Sequence, residues 1–369
     1  MTDRGIYIHI PFCESKCRYC DFYSFSASDA VKEEYTKALC REITKRGGNF
    51  DRPFTSLYIG GGTPSVLGEE RLCKIILAAK ESFDFVKGAE ITVEVNPKTG
   101  SEPLFAALKS CTVNRLSMGV QSANDEELEM LGRAHTNATA KNAFFAARSA
   151  GFDNISLDLM IGLPDSDEKS VKKSLDFLCG LAPEHISVYI LKLEENTPLY
   201  NMRHTLDLPD EDEVSRQYMQ ACTALKAAGY EHYEISNFSK KGKRSRHNMN
   251  YWKCGQYLGL GPAAHSFIDG KRFFYPADMK AFIDCPNPKA DGEGGDISEY
   301  IMLNLRLSDG LDLSELKGRF GVNPANAFIK KAKLFEKGGL CRLKGDNLSL
   351  TDAGMLVSNE IITELECSL

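Results

Sequence analysis

A chain of 369 residues, 43% hydrophobic and 26% charged, has material for two or three units and an ample core. Its net charge of −6 argues against wholesale neutralisation of nucleic-acid phosphates, so no nucleic-acid partner is expected. No apolar run approaches the ~18–20 residues of a membrane-spanning helix, Asp3 and Arg4 do not suit a secretory signal, and nine of the 12 cysteines are scattered singly, as in a reduced, cytoplasmic protein.

Taken in chain order, short β-like runs alternate with helical stretches. Strands are predicted over 6–10, 56–60, 91–95, 115–120, 155–161 and 186–191, with helices over 30–46, 69–83, 101–111, 125–132, 138–150 and 168–178 between them. This alternation implies parallel strands joined by right-handed crossovers. Six units fall short of a closed eight-stranded barrel, so an open partial barrel is expected. A helix over 211–228 leads to strand-like "YEISNF", then to the basic "SKKGKRSR". Segment 286–295, "PNPKADGEGG", is dense in Gly, Pro and charge and reads as a linker. Beyond it, helices over 297–307, 314–319 and 325–336, a hairpin at "CRLKGDNLSLT" and a helix over 353–365 suggest a small winged-helix-like module.

Chemistry concentrates after the first strand, where Cys13, Cys17 and Cys20 form C-x3-C-x2-C. A closed zinc site would need a fourth ligand nearby, and a C-x-x-C redox pair would leave Cys13 unexplained. Three thiolates suit a [4Fe–4S] cluster with one iron left open. In a parallel barrel the reacting groups lie at the carboxyl ends of the strands. Gly60, Gly61, Gly62 and Thr63 end the second strand there, and Glu94, Gln121 and Asp158 interrupt apolar strands in successive units. Arg133 follows twelve residues after Gln121, near enough to reach the same face.

The cysteine spacing resembles that of the radical S-adenosylmethionine (SAM) superfamily. Together "IYIHIPFC", "GGGTPS", "RLSMGVQS", "LGRAH", "DLMIGLP" and "EISNF" are similar to the oxygen-independent coproporphyrinogen III oxidase group over essentially the whole chain. The resemblance implies an α/β fold, a partial (β/α)6 barrel over 1–235. A connecting segment would span 236–295 and a C-terminal winged-helix-like domain 296–369. It implies that Cys13, Cys17 and Cys20 hold the cluster, with SAM on its open iron. Tyr7, Gly61, Gly62, Thr63, Glu94, Gln121, Arg133 and Asp158 would form the SAM site.

Two features resemble the HemW-type haem chaperones within that group. Phe22 stands where the oxidase has a further cysteine, and "HNMNYW" (247–252) matches H-N-x-x-Y-W. Haem as cargo, passed to haem-requiring proteins such as those of respiration, is what this likeness implies. His247 is the expected axial ligand, with Cys254 as rival, and Tyr251 and Trp252 would pack on the porphyrin. Lys240, Lys241, Lys243, Arg244 and Arg246 would pair with propionates. His265 is expected only to pack. An electron donor of unstated identity is a further expected partner, with room for a homodimer and for membrane contact through recipients. The rival reading is oxidative decarboxylation of coproporphyrinogen III.

Overall fold

A computed structural model describes residues 3–48, 50–321 and 326–368. Six parallel strands form the centre: β1 (Arg4–Ile10), β2 (Phe54–Gly61), β3 (Phe85–Val95), β4 (Arg115–Gln121), β5 (Ile155–Ile161) and β6 (His185–Ile190). Each pairs with the next in sequence order. Parallel neighbours need crossovers, which helices Asp29–Arg46, Glu69–Ser82, Glu102–Ser110, Asn137–Ser149 and Glu168–Leu181 supply. Side chains of a strand alternate between faces. Ile6, Ile8 and Ile10 are buried with Tyr35, Leu39 and Ile43 of the first helix, so Tyr7 and His9 face the barrel interior.

The sheet continues at both edges. Antiparallel to β6 lies a hairpin of β7 (Glu231–Glu234) and β8 (Asn237–Ser239), dividing what sequence reads as one strand. On the other side β9 (Gln256–Leu260) adds parallel to β1, followed by antiparallel β10 (His265–Ile268), β11 (Lys271–Phe274) and β12 (Lys289–Glu293). The order 12-11-10-9-1-2-3-4-5-6-8-7 is an open partial barrel. Segment 286–295 is therefore not a linker. Its exposed edge strand β12 pairs with Phe273 and Phe274, and an edge tolerates Pro, Gly and charge.

Residues 236–295 hold another element that strand and helix periodicity did not reveal, the helix Arg246–Trp252. Seven residues are too few to show a clear period. The C-terminal unit contains helices Ile297–Leu305, Leu313–Phe320 and Asn326–Lys337, then a hairpin of Cys341–Lys344 and Asn347–Leu350. Ala325, where the sequence starts the third helix, lies outside the described residues. The expected final helix is two, Asp352–Leu356 and Ser358–Glu366, broken at Val357.

Candidate cofactor and ligand site

β1 ends at Ile10, and Pro11 and Phe12 lead into the cysteine loop. Phe12 bridges Phe25, with Cys13 N–H donating to Phe25 O at 3.1 Å and Phe25 N–H to Pro11 O at 3.0 Å. Farther out, Arg18 N–H donates to Leu131 O at 2.9 Å and Arg18 O accepts from Leu199 N–H at 2.8 Å. Tied at base and tip, the loop presents three half-buried cysteines to a cavity of about 390 Å³ at the carboxyl ends of the strands. Their sulfurs are not gathered within 4.8 Å of one another, as one tetrahedral ion would draw them. Among the described residues, Cys222, His232 and Asp352 are the set so gathered.

The same cavity is walled by Gly61, Gly62, Thr63, Glu94, Gln121, Arg133 and Asp158. Gly62 N–H donates to Ile10 O at 2.8 Å, and a Cβ there would lie 2.6 Å from Phe12 O. Gly61, at φ +115°, lies so close to the His9 ring that a Cβ would fall 2.7 Å from it. The glycines therefore let strand end and cysteine loop touch. Thr63 Oγ1 reaches Cys13 Sγ at 3.5 Å. Gln121 adopts φ +68° where the β4–β5 register shifts, a bulge of the kind that re-aims a side chain. Arg133 Nη2 donates to Gly119 O at 2.5 Å, its Nη1 lies 3.6 Å from Cys17 Sγ, and its buried Nε has no partner.

Glu94 accepts from Tyr58 Oη at 2.7 Å and from Gly61 N–H at 3.2 Å. Burial pushes its carboxyl up to about 7 and that of Asp158 up to about 6, while Arg115 pulls both the other way. Arg115 is 2% exposed, a guanidinium inside the barrel that sequence reasoning missed. A charge at the first position of an otherwise apolar strand was the available signal.

Tyr7 and His247 are not on this wall. Tyr7 belongs to an adjoining cavity of about 600 Å³, lined also by Phe22, Tyr23, Tyr251, Trp252, Cys254, Tyr257, His265, Phe267, Arg272, Glu299 and Leu303. Phe22, Gly61 and Glu94 line both spaces. The larger cavity is thus an aromatic chamber beside the cysteine chamber. Arg272 faces it, paired with Glu299 and donating to Tyr257 Oη at 3.1 Å. Within it His9 is fully engaged: Nε2 donates to Tyr23 O at 2.9 Å, so Nδ1 accepts from Tyr7 Oη at 3.0 Å.

His247 stands apart from both cavities. It plugs the amino-terminal end of the barrel, where a Cβ on Gly5 would meet its Nδ1 at 2.9 Å. Nδ1 pairs with Ser56 Oγ at 2.9 Å and Nε2 with Tyr251 Oη at 2.8 Å. Burial, with Arg115 nearby, depresses its pKa to about 3. A neutral imidazole with both nitrogens bonded internally lines neither cavity and offers no lone pair to iron. Its visible work is to set Tyr251, which does line the aromatic chamber. The basic loop is also misplaced for propionates. Lys243 Nζ donates to Asp153 O at 3.1 Å, Arg246 Nη1 to Gly88 O at 3.0 Å, and Arg244 Nη1 to Asp309 at 2.7 Å. Asp153 precedes β5 and Gly88 lies in the first half of β3, toward the end opposite the cysteines.

Comparison with known proteins agrees with this architecture. The radical SAM superfamily model matches residues 7–178 and the HemN C-terminal domain model residues 296–357. Coproporphyrinogen III oxidase (HemN) from Escherichia coli, a radical SAM enzyme, has a TM-score of 0.83 to this structure. That match covers 100% of this chain and 91% of the other at 23% identity, a likeness of fold. A partial barrel whose first loop carries C-x3-C-x2-C defines the class: this is a radical SAM protein. Relatives narrow it further. A Bacillus subtilis protein named heme chaperone HemW is 35% identical over 97% of this chain and 98% of its own length. One of that name from Mycobacterium tuberculosis H37Rv is 32% identical over 98% and 94%. The chain belongs to the HemW family.

Membership of the superfamily implies a [4Fe–4S] cluster and SAM, and the residues fit both. Three thiols spread wider than one ion allows suit the corners of a cubane. Two half-buried carboxyls and an unpartnered Arg133 Nε in the same cavity suit a zwitterionic, sulfonium-bearing ligand.

Proposed function

We propose that this protein is a haem chaperone that seats haem in the aromatic chamber and passes it to haem-requiring proteins. One observation carries the reading: a roomy chamber walled by Tyr7, Phe22, Tyr251, Trp252, Tyr257 and Phe267 shares its boundary with the cysteine chamber. Its volume suits an organic ligand of cofactor size, and aromatic faces suit a porphyrin plane. Cys13, Cys17 and Cys20 would hold the cluster. Gly61, Gly62, Thr63, Gln121 and Arg133 would seat SAM, with the Glu94 and Asp158 carboxylates toward its positive groups and Tyr7 in the adjoining chamber. When bound, a cluster reduced by the electron donor would supply the one electron that breaks the C5′–S bond of SAM, giving methionine and a 5′-deoxyadenosyl radical. The propionates would meet Arg272, the cation of the chamber, rather than the basic loop. Recipients in respiration, an electron donor and a cytoplasmic setting belong to this reading. No described helix is long and apolar enough to cross a membrane.

Decarboxylation of coproporphyrinogen III is the second reading, favoured by the fold shared with the E. coli oxidase. Phe22 stands against it, because an exposed phenyl ring replaces the extra cysteine at the mouth of both cavities. The test is anaerobic reconstitution followed by two assays. Stoichiometric haem binding with release to an apo-haemoprotein, and no turnover of coproporphyrinogen, is expected. Turnover without haem binding overturns the chaperone reading.

A further inference from the structure

We propose that His265 supplies the axial nitrogen to haem iron in the aromatic chamber, an inference that rests on the haem-chamber reading above. Lewis bases on that wall are few. His9 has both nitrogens bonded to Tyr7 and Tyr23. Cys254 is 4% exposed, and burial raises its thiol above the ordinary range, away from the thiolate that binds iron. Tyr251 is likewise held as a neutral phenol by burial and bonded to His247. His265 differs from all three.

Its side chain is 57% exposed and lines the chamber. The ring stacks on Phe274 across the β10–β11 pair, 5.2 Å between centroids at 17°, which fixes its plane. Nδ1 lies 3.5 Å from Asp291 Oδ2 on β12, while Nε2 has no hydrogen-bond partner among the described residues. A carboxylate beside one ring nitrogen favours the tautomer with the proton on that side, which leaves the other nitrogen's lone pair for a metal. Metal-ligating histidines are typically held this way. Stacking and carboxylate come from two neighbouring strands, so the edge of the sheet that resembles a linker in sequence becomes the support of the ligand.

Trp252, the only tryptophan, lines the same chamber, so its fluorescence reports occupancy independently of ligation. Full-length protein is titrated with haem and, separately, with metal-free protoporphyrin IX. Haem is expected to quench Trp252, and His265→Ala is expected to keep the quenching but shift the Soret and charge-transfer bands. Its haem affinity should fall more than about tenfold while that for the metal-free porphyrin is unchanged, and added imidazole should restore the spectrum. Asp291→Asn should weaken haem binding by about tenfold with the same iron dependence. An unchanged spectrum in His265→Ala, or equal loss of both porphyrins, overturns the ligand assignment. If haem leaves Trp252 unquenched in the unaltered protein, the chamber reading itself fails.

Discussion

Glu94 shows how one side chain serves the fold and taxes it. Both carboxylate oxygens are bonded, to Tyr58 and Gly61, yet burial still pushes its pKa from 4.5 to about 7. Between those values the folded chain holds a proton that the unfolded chain has lost. Stability contributed by Glu94 is therefore full below pH 4.5, declines as pH rises through about 7 and is flat beyond. Glu94→Gln keeps the acceptor for Tyr58 and removes the titration. In protein free of cofactors, urea midpoints at pH 5 and pH 8 should differ less in the variant than in the unaltered chain. The shift sets a ceiling of about 3 kcal/mol on the difference. Equal slopes in the two proteins would remove Glu94 from the pH response.

At the scale of elements, the short helix Arg246–Trp252 links the floor of the barrel to the wall of the aromatic chamber. Glu90 of β3 is 6% exposed and accepts from both Arg246 N–H and His247 N–H at 3.1 Å, and Ser245 Oγ accepts from Asn248 N–H at 3.4 Å. A carboxylate on free amides at a helix start both caps and opposes the dipole. From there an aromatic series rises through Tyr58, His247, Tyr251 and Tyr257, with successive centroids 5.1, 4.9 and 4.6 Å apart. Glu90→Ala should cost about 1–3 kcal/mol and loosen Tyr251. Denaturation together with Trp252 fluorescence polarisation reads both effects, and unchanged polarisation would show that the cap does not govern the chamber. The helix also explains what sequence could and could not convey. The β/α alternation was legible because each strand is an apolar run and each crossover helix is long. Polar intrusions at Glu94, Gln121 and Asp158 stood out against those runs, so the cysteine chamber was legible too. His247 was not, because a motif names a residue without saying which way it faces. His265 was missed because its partners, Phe274 and Asp291, come from strands with no apolar alternation to announce them.

At the scale of the whole molecule, the C-terminal unit packs its own core onto the flank of the barrel. Tyr300, Ile301 and Leu305 share a core with Cys254 and Phe267, and Glu299 and Leu303 complete the aromatic chamber, so this unit is a wall. Its docking to the barrel is anchored by Asp352, which meets His232 Nδ1 at 3.0 Å and the Lys226 ammonium. Cys222 Sγ lies 4.0 Å from the same ring nitrogen, and Phe238 stacks on its face at 4.1 Å. This cluster has ion-like spacing, but the ammonium already satisfies the carboxylate, and it reads as a clasp. Hydrogen bonding to His232 and Lys226 holds the Asp352 carboxyl well below the usual range. Because the folded pKa is depressed, the clasp is at full strength above the ordinary carboxyl value and weakens as pH falls below it. Asp352→Asn should therefore lower stability at neutral pH by about 1–3 kcal/mol, and the deficit should shrink as pH falls below about 4, gradually because the folded carboxyl is still ionised near pH 3. It should also raise labelling of Cys222, 1% exposed in the intact protein, by a thiol reagent followed peptide by peptide. Looser docking moves Glu299 and Leu303 away from the barrel, so haem should leave the variant faster while the cysteine loop, which the clasp does not touch, assembles its cluster as before. Slower cluster assembly with unaltered haem release would reverse that division of labour.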